Sequence, residues 1–597
     1  MIQQQQHVDQ NLTQPDELSI RPLRFQKVLD DLGKYVLQWD YNDTEVIFEI
    51  KVQTYGWVGF GISHSGLMAP ADVILAWVKE GIVGFGISKT GLMRPADVVI
   101  GWVKDGLIFF ADYHTTSATT PIMDESQDWF VVHGYEDDSG TTIRFRRKFV
   151  TCDLNDEKIE EGTVHLIYAY HDVDPDVPNF LFRYHGQTQR GSKAVLVIGT
   201  SFQPKPWPSD AGTIDFRHNN YQVPGSDITT YGCTAFYLPT IRAKLHIIKT
   251  EASIQRGHEN LVKKILLLAC RLPIFFHLPQ YHGLNFNCLD GTIPLLQYCE
   301  SVFAGWSVGA EPLYYPEHVG VSIGAPEDPV LFVLQTHFHN PVQQEGIIDS
   351  SGLRLTYTRQ LRRFDAGILH TGYYISNRQI IPPGEPSFMT KIHCSRRCLE
   401  WGMRSVQAIR VFGVFFHTHE LGKSVKVRSV RNGTEYQYWA FDAHYSPANQ
   451  FYRLLSREVL VQKGDSIRVD CEYDSTSRDK ITMGGITLTD EICRVIILYY
   501  PKQAIDSCFG WSVYNKLNDE EGEIIQASEA IRYLSSVNWT NNNVMKSNLK
   551  QAIIDSDERT ICFSLYQEPM IAFDHSSPDS IRDEYMSPSF NCSAESP

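Results

Sequence analysis

The stretch Phe415-Phe416-His417-Thr418-His419-Glu420-Leu421-Gly422-Lys423 ends an apolar run that starts at Phe412, and it ends that run in His-x-His. Side chains two apart on an extended strand share a face. His417 and His419 therefore stand side by side, within reach of one metal ion. Imidazole suits copper, zinc, iron and nickel alike, so the pair implies a transition metal without choosing one. The bland reading of the same pattern is a strand with two structural or solvent-facing histidines. A second pair lies in Leu331–His339. There Val333, Gln335, His337 and His339 face one way and Phe332, Leu334 and Phe338 the other. The apolar set is the expected core, which leaves His337 and His339 on an open or cleft face.

Outward from these strands, 597 residues suggest about three domains. With 43% hydrophobic and 21% charged residues the chain is globular, and 29 Tyr, 31 Phe and 29 Pro with few long helical periods point to an all-β protein. A net charge of −16 argues against nucleic acid or an anionic membrane surface as partner. No apolar run is long enough to span a membrane. The N-terminal MIQQQQHVDQ lacks the apolar core of a signal peptide. The 12 cysteines nevertheless run from Cys152 to Cys592 without a CxxC pair, a spacing that suits long-range disulfides better than zinc. Sequons at Asn11, Asn42, Asn432, Asn538 and Asn591 agree with a glycoprotein. The expected setting is a secretory lumen or the extracellular space, with the signal missing from this chain.

In chain order, residues 1–24 are polar. Alternating strands then begin near Gly33 and predict a β-sandwich over 25–204. Inside it, VGFGISHSGLMAPADVILAWVKEGI (58–82) is followed at once by VGFGISKTGLMRPADVVIGWVKDGL (83–107), with 17 of 25 positions identical. Two copies are too few for a solenoid. A closed sandwich has room for one such hairpin, so one copy is expected outside its core. The sandwich histidines His165, His171 and His185 are expected to be ordinary strand and loop residues. After a Pro-rich hinge come two further β-rich regions, 205–360 and 361–530. A polar tail follows over 531–597, expected to be weakly ordered and pinned by Cys562 and Cys592. Asp490 and Glu491 have no partner identifiable from sequence and are expected at the surface.

The ordered set TTYGC (229–233), HIIK (246–249), HFHNP (337–341), DSSGLRLTYT (349–358), LRRFDAGI (361–368), HTHELGK (417–423), DAHYSP (442–447), GGITLTDEIC (484–493) and YYP (499–501) resembles the copper type II, ascorbate-dependent monooxygenases of the dopamine β-hydroxylase type. The likeness runs from about residue 30 to 510. It implies an N-terminal DOMON sandwich and two jelly rolls facing each other across a cleft. Each jelly roll would hold one copper: one relays electrons from ascorbate, the other works with O2 to hydroxylate a small aralkyl or amine-like substrate. By resemblance, His337 is the surviving relay ligand, His417 and His419 are ligands of the oxygen copper, and Tyr231 and His417 belong to the catalytic set.

Three positions depart from the family pattern. Lys263 and Lys264 stand where the relay copper takes an adjacent His-His pair, and Ile492 stands where the oxygen copper takes a Met. A protonated lysine has no lone pair, and isoleucine has no donor atom to replace the soft thioether that favours Cu(I). One copper or fewer is the expectation. His339, His246, His277 and His282 are the alternative donors. The resemblance also implies the disulfides Cys233–Cys288, Cys270–Cys299, Cys394–Cys508, Cys471–Cys493, Cys398–Cys562 and Cys152–Cys592. The interchain cysteines of dopamine β-hydroxylase find no counterpart here, so an oligomer would have to form without them.

Overall fold

The computed structural model describes residues 22–574, apart from 64–95, shorter stretches including 116–120, 176–183, 200–205, 271–277 and 291–297, and isolated positions. Asn11, His277, Asn591 and Cys592 fall outside the described residues. Strands dominate, and the chain divides into two compact units, 1–198 with 587–597 and 199–586.

The first unit is a sandwich of a five-stranded and a six-stranded sheet. Its core stacks Phe48, Phe60, Trp129 and Phe145, with Phe48 and Phe60 ring centroids 4.8 Å apart. Most of the repeat, residues 64–95, lies outside the described residues, and with it the expectation that one copy sits outside the core. The first copy supplies Val58–Ser63, the second supplies Ala96–Lys104, and the two strands pair antiparallel with Val58 opposite Gly101 and Phe60 opposite Val99. This described pair thus draws one strand from each copy. His165 and His185 are buried within this unit.

The second unit holds two sandwiches. The first pairs a sheet containing Leu245–Ser253 and Gly352–Thr358 with a sheet in which Thr229–Tyr237, Leu331–His339 and Val262–Ala269 lie side by side. The second pairs a four-stranded sheet with a seven-stranded one, whose centre is Ala408–His417, Arg494–Tyr500, Gly367–Tyr373 and Ile505–Val513. Alternation splits the Arg494–Tyr500 strand cleanly. Val495, Ile497 and Tyr499 enter the core between the second sandwich's own sheets. Ile496, Leu498 and Tyr500, with Phe412 and Phe415, enter the core of the first sandwich. The two sandwiches thus share one apolar seam.

Residues 531–574, expected as a weakly ordered tail, carry defined structure instead. Helices Ala530–Ser536 and Asn543–Ile554 bury Leu534, Met545 and Leu549, and strands Asp557–Ser564 and Gln567–Asp574 extend the seven-stranded sheet. The polar composition misled because only one face of each element is apolar. Disulfides join Cys233–Cys288, Cys270–Cys299, Cys394–Cys508, Cys398–Cys562 and Cys471–Cys493, and no cysteine is free among the described residues.

Candidate metal centre

Three strands of the first sandwich present one row of side chains. Tyr231 lies opposite His337, and His337 lies opposite Lys264 on its other side. Residues directly opposite across a sheet share a face, so the three are neighbours. The Tyr231 and His337 rings stack at 4.6 Å with an 18° interplanar angle. The register shifts between Val262 and Lys264, which makes Lys263 the extra residue of a bulge. A bulge breaks strict alternation, and so allows two consecutive side chains to approach one site.

From the second sandwich, His417 and His419 face this row, their ring centroids 5.4 Å apart. Each ring is held by its Nδ1. His417 Nδ1 donates to Gln450 Oε1 at 2.7 Å, and His419 Nδ1 donates to the Asp490 carbonyl at 3.0 Å. Gln450 is itself oriented by its amide nitrogen, which donates to the Pro447 carbonyl at 2.8 Å. Both histidines therefore present Nε2, the pattern that outer partners impose on metal-binding imidazoles. His337 does the same, with Nδ1 3.4 Å from the Tyr231 hydroxyl and Nε2 buried without a hydrogen bond. The Tyr231 hydroxyl donates to the Ile486 carbonyl, which links the two sandwiches.

The space in front of His417 Nε2 is taken by a lysine. Lys264 Nζ lies 3.0 Å from it. Nδ1 of that ring carries the proton, so Nε2 accepts and the lysine donates. Desolvation, then the Arg494 charge, pulls the Lys264 pKa down to about 7. Desolvation, then Lys264, holds His337 near 3 and His419 near 4, and drives His417 well below its usual value. The histidines are neutral, and a lysine nitrogen occupies the position in front of one of them.

Two features were not legible in the sequence. Glu491 is buried, not at the surface: its carboxylate accepts the backbone N–H groups of His419 at 3.0 Å, Leu421 at 2.6 Å and Ile492 at 3.1 Å. Desolvation raises its pKa to about 7. Arg494 lies opposite His417 on one side and Gly372 on the other. With no side chain at Gly372 to obstruct it, the guanidinium reaches the Phe509 ring, 3.6 Å from its centroid. Arg494 is 5% exposed and its side chain makes no hydrogen bond or ion pair with any described residue, while its Nε is buried and unsatisfied. Stacking on a desolvated ring contributes about 2 kcal/mol, less than the several kcal/mol that stripping water from an ion costs. The available signal was a lone charge at the head of the otherwise apolar strand RVIILYY.

Family models match in register with this architecture. Residues 364–520 match the C-terminal domain of the copper type II ascorbate-dependent monooxygenases, and 214–345 match the N-terminal domain. The DOMON model matches in two pieces, 30–83 and 79–171, overlapping at the repeat. DBH-like monooxygenase protein 1 of Gallus gallus is 34% identical over 81% of this chain and 74% of its own length. This chain belongs to the copper type II ascorbate-dependent monooxygenases. DBH-like monooxygenase protein 2 of Mus musculus is 31% identical over 92% of this chain and 83% of its own length. Human dopamine beta-hydroxylase is 31% identical over 88% and 82%.

The donors of this monooxygenase chain do not fit two coppers. Among the described residues, no three His, Cys, Asp or Glu groups of the cleft bring ligand atoms within 4.8 Å of one another. The alternative donors do not supply the deficit. His246 accepts from the Arg362 N–H through Nδ1 and meets Asp365 through Nε2. His282 Nδ1 accepts from the Tyr237 N–H. His339 Nδ1 is buried without a hydrogen bond, but it adds one lone pair where two are missing. Ile492 is buried beside Glu491 and offers none.

Proposed function

We propose that this monooxygenase chain keeps the family's cleft as a binding site in the secretory pathway or outside the cell, and does not complete two-copper hydroxylation. One observation carries this reading: Lys264 Nζ, 3.0 Å from His417 Nε2, uses the lone pair that a metal would need. Lys263 and Lys264 add positive charge where a cation would have to bind, and Ile492 supplies no thioether. The disulfides support an oxidising compartment. The test is copper stoichiometry on purified full-length chain, with ascorbate-dependent hydroxylation of phenylethylamine measured on the same sample. Fewer than two coppers and no product are expected.

A specific observation favours a second reading, an impaired copper- and ascorbate-dependent hydroxylase of a small aralkyl or amine-like substrate using O2. Histidines 337 and 419 still present Nε2, and His417 Nε2 points to the same row, where it accepts from Lys264. Under that reading the chain binds two coppers and forms hydroxylated product.

A further inference from the structure

Five arginines of the described residues are almost wholly buried: Arg147, Arg428, Arg453, Arg468 and Arg494. Four have a carboxylate in contact. Arg147 meets Asp97 at 2.5 Å, Arg428 meets Glu435 at 2.8 Å and also Asp470, Arg468 meets Asp470 at 2.8 Å, and Arg453 meets Asp442. Arg494 has none. Its neighbours add to the imbalance. Lys264 makes one hydrogen bond, to a neutral histidine, and no ion pair. His370, on the strand beside Arg494, stands edge-on to the same Phe509 ring at 5.1 Å. The carboxylates nearest in sequence are committed elsewhere. Asp490 accepts from the Thr487 backbone and hydroxyl, and Glu491 accepts three backbone N–H groups. Buried charges in folded proteins are paired, and a buried guanidinium with an unsatisfied N–H lacks an acceptor.

We propose that this cleft binds one small monovalent anion between Arg494 and Lys264, with the Arg494 N–H groups donating to it and the Phe509 and His370 rings walling the site. The proposal rests on the binding reading above and gives it a ligand class: an anionic group in place of the metal cation. The chemistry required is one negative charge with lone pairs for a planar donor fork. A halide and the carboxylate of a small organic acid both meet it.

The experiment follows thermal unfolding of the full-length wild type and Arg494→Leu as sodium chloride or sodium phenylacetate is raised. Leucine suits the apolar face that Arg494 shares with Ile496 and Leu498. In low-anion buffer the variant should unfold at a higher temperature than wild type, because an unpaired buried charge is gone. Added anion should then raise the wild-type midpoint and close that gap, with apparent affinity roughly tenfold or more weaker in the variant. Phenylacetate exceeding chloride at equal ionic strength assigns the site to an organic carboxylate, and equal effects assign it to an inorganic ion. Identical anion dependence in both proteins overturns the proposal, since general salt effects act on both. If Arg494→Leu does not fold, bromide-soaked wild-type crystals decide: an anomalous peak at the Arg494 guanidinium supports the site, and its absence overturns it. Copper content of the same samples is read separately, so two coppers per chain would sink the binding reading whatever the anion response.

Discussion

Lys264 and His417 are 153 residues apart in sequence and belong to different sandwiches, yet Nζ of one donates to Nε2 of the other at 3.0 Å. A side chain of this protein therefore stands where the family resemblance places an ion, and the two sandwiches are tied by that bond.

Replacing Lys264 with methionine should free His417 Nε2 and add a thioether nearby. Copper affinity at the His417–His419 pair should rise roughly tenfold or more in chelator competition. Folding stability should hold or rise, since a partly buried ammonium is removed. Unchanged copper affinity would mean that the lysine does not compete with the metal.

Full restoration needs more. Lys263→His, Lys264→His and Ile492→Met together should give two coppers per chain and ascorbate-driven hydroxylation of phenylethylamine. Ile492→Met with either lysine left in place should give no turnover, because one copper without its relay cannot supply both electrons. Product from unmodified chain at a normal rate would sink the ligand assignment.

Removing residues 58–82 and removing residues 64–88 yield the same protein, because VGFGIS occurs at both 58–63 and 83–88. Either deletion keeps the paired strands Val58–Ser63 and Ala96–Lys104 in kind. The melting temperature of the first unit should stay the same or rise. A clear fall would show that residues 64–95 contribute to its core.

The first unit should be more stable in mild acid than in alkali. Asp97, Asp112 and Asp156 place carboxylate oxygens within 4.8 Å of one another. Arg147 pairs with Asp97, and desolvation followed by the neighbouring carboxylates raises Asp112 to about 10. A carboxyl raised on folding binds a proton more tightly in the folded state. Its contribution is complete below about pH 4 and is lost as pH rises towards about 10. The melting temperature should fall between pH 5.5 and 8.5, and Asp112→Asn should flatten that slope. An equally steep slope in the variant would place the cause elsewhere.

What the sequence disclosed follows from which signals are local. Alternation exposed the strands, and the spacing of His417 and His419 disclosed their shared face, because both depend on neighbours one or two residues away. Lys263 and Lys264 could be read as departures, but not as an occupant of the other site, since that needs two sandwiches in register. Glu491 looked like a surface charge because its partners are backbone N–H groups, which leave no trace in residue identity. Arg494 was hidden because its lack of a carboxylate is a fact about three adjacent strands. The helices after residue 530 were missed because their apolar faces are narrow, and the composite hairpin because two near-identical segments offer the same pattern twice.

The Glu491 carboxylate binds the His419–Leu421 turn and the Ile492 segment into one piece without any ion. The geometry of the vanished thioether position is therefore inherited from the backbone, not from the metal. In evolutionary terms, a chain with this clamp can exchange the side chain at position 492 and keep the same local backbone.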